Sequence, residues 1–251
     1  MYTVMILGGA KGVGLEVLKS CYRKGYQVAF CGRSSEQGRK IINDLKDLKG
    51  AENLYHHTLD LNNIDSIENY YLETIKRFKK IDALLVYAGI SPIASLLDTT
   101  EELFDGVFKI NLKAPYFLLK HVLKHMKEND SGSIVFMGSP HMDYGSEDRT
   151  AYALTKAGLY TLSTHISHHY SKYKIRSNYV VMGWTKTEGE MDLRAGEGMN
   201  ERELNNLAAK AIPMGRILNP NDLVATVMHL ISEDSAMTTG SIIRVTGGHY
   251  I

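Results

Sequence analysis

Short apolar runs alternate with longer stretches of helical spacing along almost the whole chain, and this rhythm limits the fold more than any other feature. Thr3–Leu7, Gln27–Cys31, Leu54–Thr58, Ala83–Tyr87, Ser133–Met137, Ser177–Val181 and Ser241–Val245 read as strands. They are short, apolar and bounded by Gly, Asp or Asn. Near-continuous apolar character implies burial on both faces, as in a parallel sheet. Helices are predicted over Gly12–Lys24, Glu36–Leu48, Ile64–Phe78, Glu101–Lys127, Thr150–Tyr173, Glu201–Ala211 and Asn219–Ile231. Strands joined through helices demand right-handed crossovers. The expected fold is one α/β domain over residues 1–251, a doubly wound parallel sheet of about seven strands with helices on both faces. Only Lys186–Pro213, polar and glycine-containing, breaks the rhythm. It is expected to form a loop plus a short helix over one end of the sheet, a substrate lid at 186–213.

Composition removes several function classes. A formal net charge of +1 gives no field to draw the chain to nucleic acid or an anionic membrane. No apolar run approaches the roughly 20 residues of a membrane span. The opening Met1-Tyr2-Thr3-Val4 lacks the charged start of a signal peptide, so a cytoplasmic location is expected. The two cysteines, Cys21 and Cys31, match no metal spacing and read as buried thiols. No metal is expected.

Gly8-Gly9-Ala10-Lys11-Gly12-Val13-Gly14 follows the first strand and opens the first helix. A helix N-terminus presents unpaired N–H groups and partial positive charge, which suit a pyrophosphate. Glycines let the backbone turn tightly and come close to it. A turn of this kind at this place makes the predicted sheet Rossmann-type and dinucleotide-binding. Selectivity between cofactors is set about 20 residues on, where NAD enzymes usually carry an acid for the ribose 2′-hydroxyl. Here the strand ends Phe30-Cys31-Gly32-Arg33-Ser34. Gly32 stands at the acid's position, Arg33 offers paired charge-assisted bonds to a 2′-phosphate, Ser34 adds a hydroxyl, and Lys11 adds a second cation. The cofactor expected is NADP(H).

Tyr152 and Lys156 are four apart in a predicted helix and therefore share a face. Ser139 lies just past the carboxyl end of a predicted strand, where open α/β sheets bind ligands. A free tyrosine titrates near pH ~10, too high for ready proton exchange at neutral pH. A neighbouring ammonium and an oxidised nicotinamide would favour phenolate and lower that value. Tyr152 is then the general acid/base for a carbonyl or alcohol. Ser139 holds the substrate oxygen, while Lys156 tunes Tyr152 and binds the nicotinamide ribose.

These residues resemble the short-chain dehydrogenase/reductase family across nearly the whole chain. The family's T-G-x-x-x-G-x-G turn matches Gly8, Gly12 and Gly14, with Val13 inside it. Its serine, tyrosine and lysine match Ser139, Tyr152 and Lys156, including the spacing of 13 between Ser139 and Tyr152. The resemblance implies that Asn111 holds a water on the proton path and that Asp60 and Leu61 lie at the adenine. It further implies that Ala88 and Gly89 line the cofactor floor, with Gly183, Thr185 and Thr187 beside the nicotinamide. The run from Pro213-Met214-Gly215-Arg216 to Thr246-Gly247-Gly248 is similar to the beta-ketoacyl carrier-protein reductase-like branch. Leu7, Val86-Tyr87 and Met182 depart from the family's usual threonine, Asn-rich and proline positions.

The function implied is hydride transfer between NADP(H) and a small-molecule carbonyl or alcohol. Alternatives are a divergent non-catalytic dinucleotide-binding protein and an enoyl reductase. The sensor type often loses the tyrosine or lysine, and the enoyl branch commonly spaces them further apart. Sugar-nucleotide epimerases of related fold usually have longer chains. For substrate contact the sequence offers His141 and Arg149 in the polar loop after Ser139, and Trp184 after Gly183. His121/His125 and His165/His168/His169 are helix-spaced. In the family these helices form a dimer contact, so a homodimer or homotetramer is expected and metal binding at these histidines is not.

Overall fold

A computed structural model describes residues 1–143 and 145–249, with Lys49 described by its backbone alone. Tyr144, in the loop after Ser139, and the last two residues of the expected domain lie outside the described residues. Seven strands form one parallel sheet: β1 (Thr3–Gly9), β2 (Gln27–Gly32), β3 (Leu54–Thr58), β4 (Ala83–Val86), β5 (Gly132–Gly138), β6 (Ile175–Met182) and β7 (Ile242–Val245). Their order is β3-β2-β1-β4-β5-β6-β7. The chain winds outward from β1 to β3, returns past β1 to β4, and then winds the other way. The reversal opens a crevice at the carboxyl ends of β1 and β4, where such sheets bind ligands.

The strands alternate with period two, and both faces are apolar. Val4, Ile6, Val28 and Phe30 face one layer, and Met5, Leu7, Ala29 and Cys31 face the other. The first layer packs α1 (Gly12–Arg23), α2 (Ser35–Lys49), α8 (Glu201–Ala211) and α9 (Val224–Leu230). The second packs α3 (Ile64–Phe78), α5 (Ala114–Glu128) and α6 (Thr150–Tyr170). Burying a side chain such as Phe136 or Leu85, both 0% exposed, contributes roughly 1.5–3 kcal/mol each. The expected doubly wound parallel sheet of seven strands with helices on both faces is the one observed.

The predicted helix over 101–127 runs as α4 (Glu101–Phe108), a wide π turn at Lys109–Lys113, and α5. Pro115 has no N–H, so the carbonyl of Asn111 lacks its donor four residues on, and the helix widens there. The segment 186–213 holds two helices, α7 (Glu188–Gly196) and α8, instead of a loop and one helix. Thr187 caps α7 by accepting from the Glu190 N–H at 3.2 Å. Gly189 and Gly196 hid α7 from a reading by periodicity. Among the described residues no helix is long and apolar enough to cross a membrane.

Candidate active site

The turn after β1 is shaped as the sequence requires. Gly8 has φ +106°, a left-handed value that disfavours any side chain. A Cβ on Gly14 would stand 3.0 Å from the Gly9 Cα, so α1 can start against the turn only with glycine there. Gly12 and Val13 begin α1, with Lys11 at its N-cap. The Ala88 N–H donates to the Leu7 carbonyl at 2.8 Å and ties the end of β4 to this turn. A cradle that any Cβ would fill, beside free helix N–H groups, fits a dinucleotide pyrophosphate.

A Cβ on Gly32 would lie 3.1 Å from the Ala10 Cβ and 3.7 Å from Nε2 of His56. A side chain at this position would crowd Ala10. Arg33 follows it, exposed. Ser34 caps α2, its hydroxyl accepting from the Gln37 N–H at 3.1 Å, and the Gln37 amide reaches the Ala10 carbonyl at 2.9 Å. Lys11 pairs with Glu188 of α7 at 3.6 Å, a contact between the glycine turn and 186–213 that the sequence did not disclose. Asp60 accepts from the backbone and side chain of Asn62 in an exposed turn before α3, and Leu61 packs on the second layer.

Ser139 stands just past β5, and Tyr152 and Lys156 lie on α6, as the spacing predicts. Lys156 is 5% exposed, and its Nζ donates to the Met137 carbonyl at 2.9 Å. The ammonium lies 5.5 Å from the centre of the Tyr152 ring. Burial pushes Lys156 down to about 8. Burial also raises the Tyr152 phenol, and a side-chain hydrogen bond with Ser139 and the Arg149 charge only partly offset it. The lowering expected of Tyr152 draws also on the charge of an oxidised nicotinamide, and the protein's own groups do not supply it. The protein's own groups hold the phenol above its ordinary value, because desolvation outweighs the Ser139 hydrogen bond and the Arg149 charge.

Asn111 is fully buried at the π turn. Its Oδ1 accepts from the Ile90 N–H at 2.8 Å. Its Nδ2 donates to the Ile90 carbonyl at 2.8 Å and to Thr155 Oγ1 at 3.2 Å. The Thr155 hydroxyl in turn donates to the Tyr152 carbonyl at 2.7 Å. The Asn111 side chain therefore clamps the segment after Gly89 to α6. Gly183 sits where a Cβ would come within 2.7 Å of Thr246 Cα. Thr185 is buried, its hydroxyl donating to the Gly183 carbonyl at 2.9 Å, and Thr187 leads into α7.

The three substrate candidates separate. His141 meets the Tyr152 ring edge-on at 5.7 Å. Its Nδ1 accepts from the Ser146 N–H at 3.0 Å, so the proton resides on Nε2, and burial lowers its pKa. Trp184 faces α7. Its indole N–H donates to Glu190 at 2.5 Å, and Arg194 lies 5.3 Å over its ring. Arg149 is anchored on Ser91, Nη1 donating to its carbonyl at 2.7 Å and its hydroxyl at 3.0 Å.

Sequence reasoning missed Tyr179 on β6. Its hydroxyl donates to the Lys156 carbonyl at 2.9 Å, and its ring fills the space where a Cβ on Gly138 would sit. The glycine immediately before Ser139 was the available signal. Both cysteine thiols are buried and pushed up to about 12. Among the described residues no group of His, Cys, Asp and Glu could hold a metal ion.

Residues 8–250 match a family model described as Enoyl-(Acyl carrier protein) reductase. The chain belongs to that family, and it is an oxidoreductase of the short-chain dehydrogenase/reductase group. It is similar to an uncharacterized oxidoreductase of Thermotoga maritima, 29% identical over 98% of this chain and 96% of that one. The 3-oxoacyl-[acyl-carrier-protein] reductase FabG of Chlamydia pneumoniae is 28% identical, over 98% of this chain and 95% of its own. Among solved structures, ElxO with NADP bound superposes with a TM-score of 0.90 at 25% identity, covering 99% of this chain and 98% of that one.

Proposed function

We propose that the protein is an NADP(H)-dependent oxidoreductase that interconverts a carbonyl and an alcohol, with Tyr152 as general acid/base. The observation that carries this reading is the meeting of Ser139, Tyr152 and Lys156 beside the glycine cradle at the carboxyl ends of β1, β4 and β5. The dinucleotide, when bound, supplies or accepts the hydride. Gly8, Gly12, Val13 and Gly14 hold its pyrophosphate, Asp60, Leu61, Ala88 and Gly89 flank it, and Gly183, Thr185 and Thr187 border its nicotinamide end. Lys156 binds the ribose there. Arg33, Ser34 and Lys11 recognise a 2′-phosphate, and Gly32 brings no acid of the kind that NAD enzymes use to the ribose. Ser139 orients the substrate oxygen, and Tyr152 gives it a proton. A phenol that burial keeps protonated suits reduction at neutral pH. FabG, named a 3-oxoacyl-[acyl-carrier-protein] reductase, supports this direction, and ElxO, described with NADP bound, supports the cofactor.

Segment 186–213 is read as the lid. Thr187 packs over Gly12, and Lys11 reaches Glu188, so this segment borders the cofactor turn. The test is NADPH oxidation against ketones, 3-oxoacyl thioesters, sugars, cyclic polyols in reverse, and an enoyl thioester. Turnover of a ketone and not the enoyl compound is expected, in keeping with a Tyr–Lys spacing of four. Turnover confined to the enoyl thioester would support the enoyl reading that the family description names. Arg33→Ala should weaken NADPH binding at least tenfold more than NADH binding, and equal losses would overturn the NADP assignment. NADPH should also slow amide exchange in Glu188–Gly196 if this segment closes over it.

The same reading expects assembly through the outer face of α4, α5 and α6. A groove of about 900 Å³ there is lined by Phe108, Leu112, Tyr116 and Leu162 among others. Tyr116→Asp should shift sedimentation toward monomer, and an unchanged dimer or tetramer would place the interface elsewhere.

A further inference from the structure

Arg149 occupies the N-cap of α6. That position favours Ser, Thr, Asp and Asn, whose oxygens accept from the first free N–H groups. Arginine has no acceptor, and its side chain makes no capping bond. Its charge is also of the wrong sign for the positive end of a helix, and no acid in the first turn offsets it. By contrast, Ser34, Asn63, Thr100, Thr187 and Asn200 each cap their helices with a side-chain oxygen. Four helices lack such a cap, α1 behind Lys11, α5, α6 and α9, and of these α6 is the one that carries Tyr152 and Lys156.

The guanidinium is not a solvated surface charge. The side chain is 15% exposed. Nη1 is held by Ser91 through two bonds, and Nε lies 3.9 Å from Asp148. The Ala94 N–H donates to the Asp148 carbonyl at 2.9 Å. The stretch after β4 is therefore clamped twice, by Asn111 at Ile90 and by Arg149 and Asp148 at Ser91 and Ala94. Tyr152 lies three residues on from Arg149, and helical side chains lean toward the N-terminus, over the turn that Arg149 begins.

We propose that Arg149 is a positioning residue for Tyr152, its anchored guanidinium fixing the segment after β4 against α6 and stabilising the phenolate left when Tyr152 gives up its proton. This rests on Tyr152 being the acid/base. The other groups facing the phenol are Ser139 after β5, the His141 ring, Lys156 one turn on, and Tyr179 from β6. Lys156 loses its charge near 8, whereas a guanidinium stays charged throughout.

The test compares wild type, Arg149→Met and Arg149→Lys by the pH profile of kcat and by NMR titration of protein labelled with [ζ-¹³C]tyrosine. The Tyr152 signal is assigned by its loss in Tyr152→Phe. In Arg149→Met the phenol should titrate about one pH unit higher, and alcohol oxidation at neutral pH should slow about tenfold, with dinucleotide affinity unchanged. Arg149→Lys should recover most of the titration shift. An unmoved Tyr152 titration in a folded Arg149→Met protein overturns the proposal. So does a raised substrate KM with an unchanged pH profile, which would make Arg149 a substrate contact. If wild type turns over nothing while Tyr152 still shifts, the proposed function fails and the positioning role stands.

Discussion

Tyr152→Phe should lower kcat by about 10²–10⁴ while leaving NADPH binding unchanged. The substitution removes one hydroxyl and keeps the ring, so His141 still meets its edge and α6 keeps its packing. What disappears is the proton donor and its hydrogen bond with Ser139. Rapid-mixing turnover and fluorescence titration of NADPH separate the two effects. A variant with full activity would end the general-acid role. In the active protein, reduction should stay flat with pH up to the raised phenol pKa and fall above it. Oxidation should climb over the same range, because there Tyr152 must start as phenolate.

Lys156→Met should abolish turnover and at the same time make the protein harder to unfold. The lysine is buried on α6, and its fall from 10.5 to about 8 reflects the cost of an unpaired charge away from water. At about 1.4 kcal/mol per pKa unit this amounts to on the order of 3 kcal/mol against the folded state at neutral pH. Methionine removes that cost but strands the Met137 carbonyl, which gives back about 1 kcal/mol. The net gain of about 2 kcal/mol should raise Tm by roughly 4–8 °C. The gain has a defined pH window. Below about 8 the charged lysine carries its full cost. Between there and 10.5 the unfolded chain binds more protons than the folded one, so wild-type stability rises with pH and the advantage of Lys156→Met shrinks. Thermal unfolding at neutral and alkaline pH reads this directly, and a lower Tm at pH 7 would show that Lys156 is stabilising. A group kept despite its cost to folding fits the proposed role in binding ribose and serving Tyr152.

Much of the site was legible because its chemistry depends on short-range spacing. Gly8, Gly12 and Gly14 declared a tight turn, Tyr152 and Lys156 a shared helix face, and Ser139 a strand end. The side-chain caps of α2, α3, α7 and α8 are likewise local signals. The direction of the Tyr152 shift was not legible, because it depends on how much water the fold removes. The role of Trp184 was equally hidden, since its indole partner Glu190 belongs to a helix whose glycines mask its periodicity. Asn111 was found by its place in a pattern, but its bonds to Ile90 and Thr155 join segments more than 20 residues away.

Local residue chemistry was therefore enough to set the seven strands, the crossovers, the phosphate turn and the Ser139–Tyr152–Lys156 group. Each of those rests on periodicity, backbone conformation or a spacing of a few residues. The strand order, the pairing of Lys11 with Glu188, the anchoring of Arg149 on Ser91 and the burial that shifts Tyr152 and Lys156 were decided by tertiary structure. Those properties depend on which distant groups become neighbours and on how far each is removed from water, and neither distance nor desolvation is written in the order of residues along the chain.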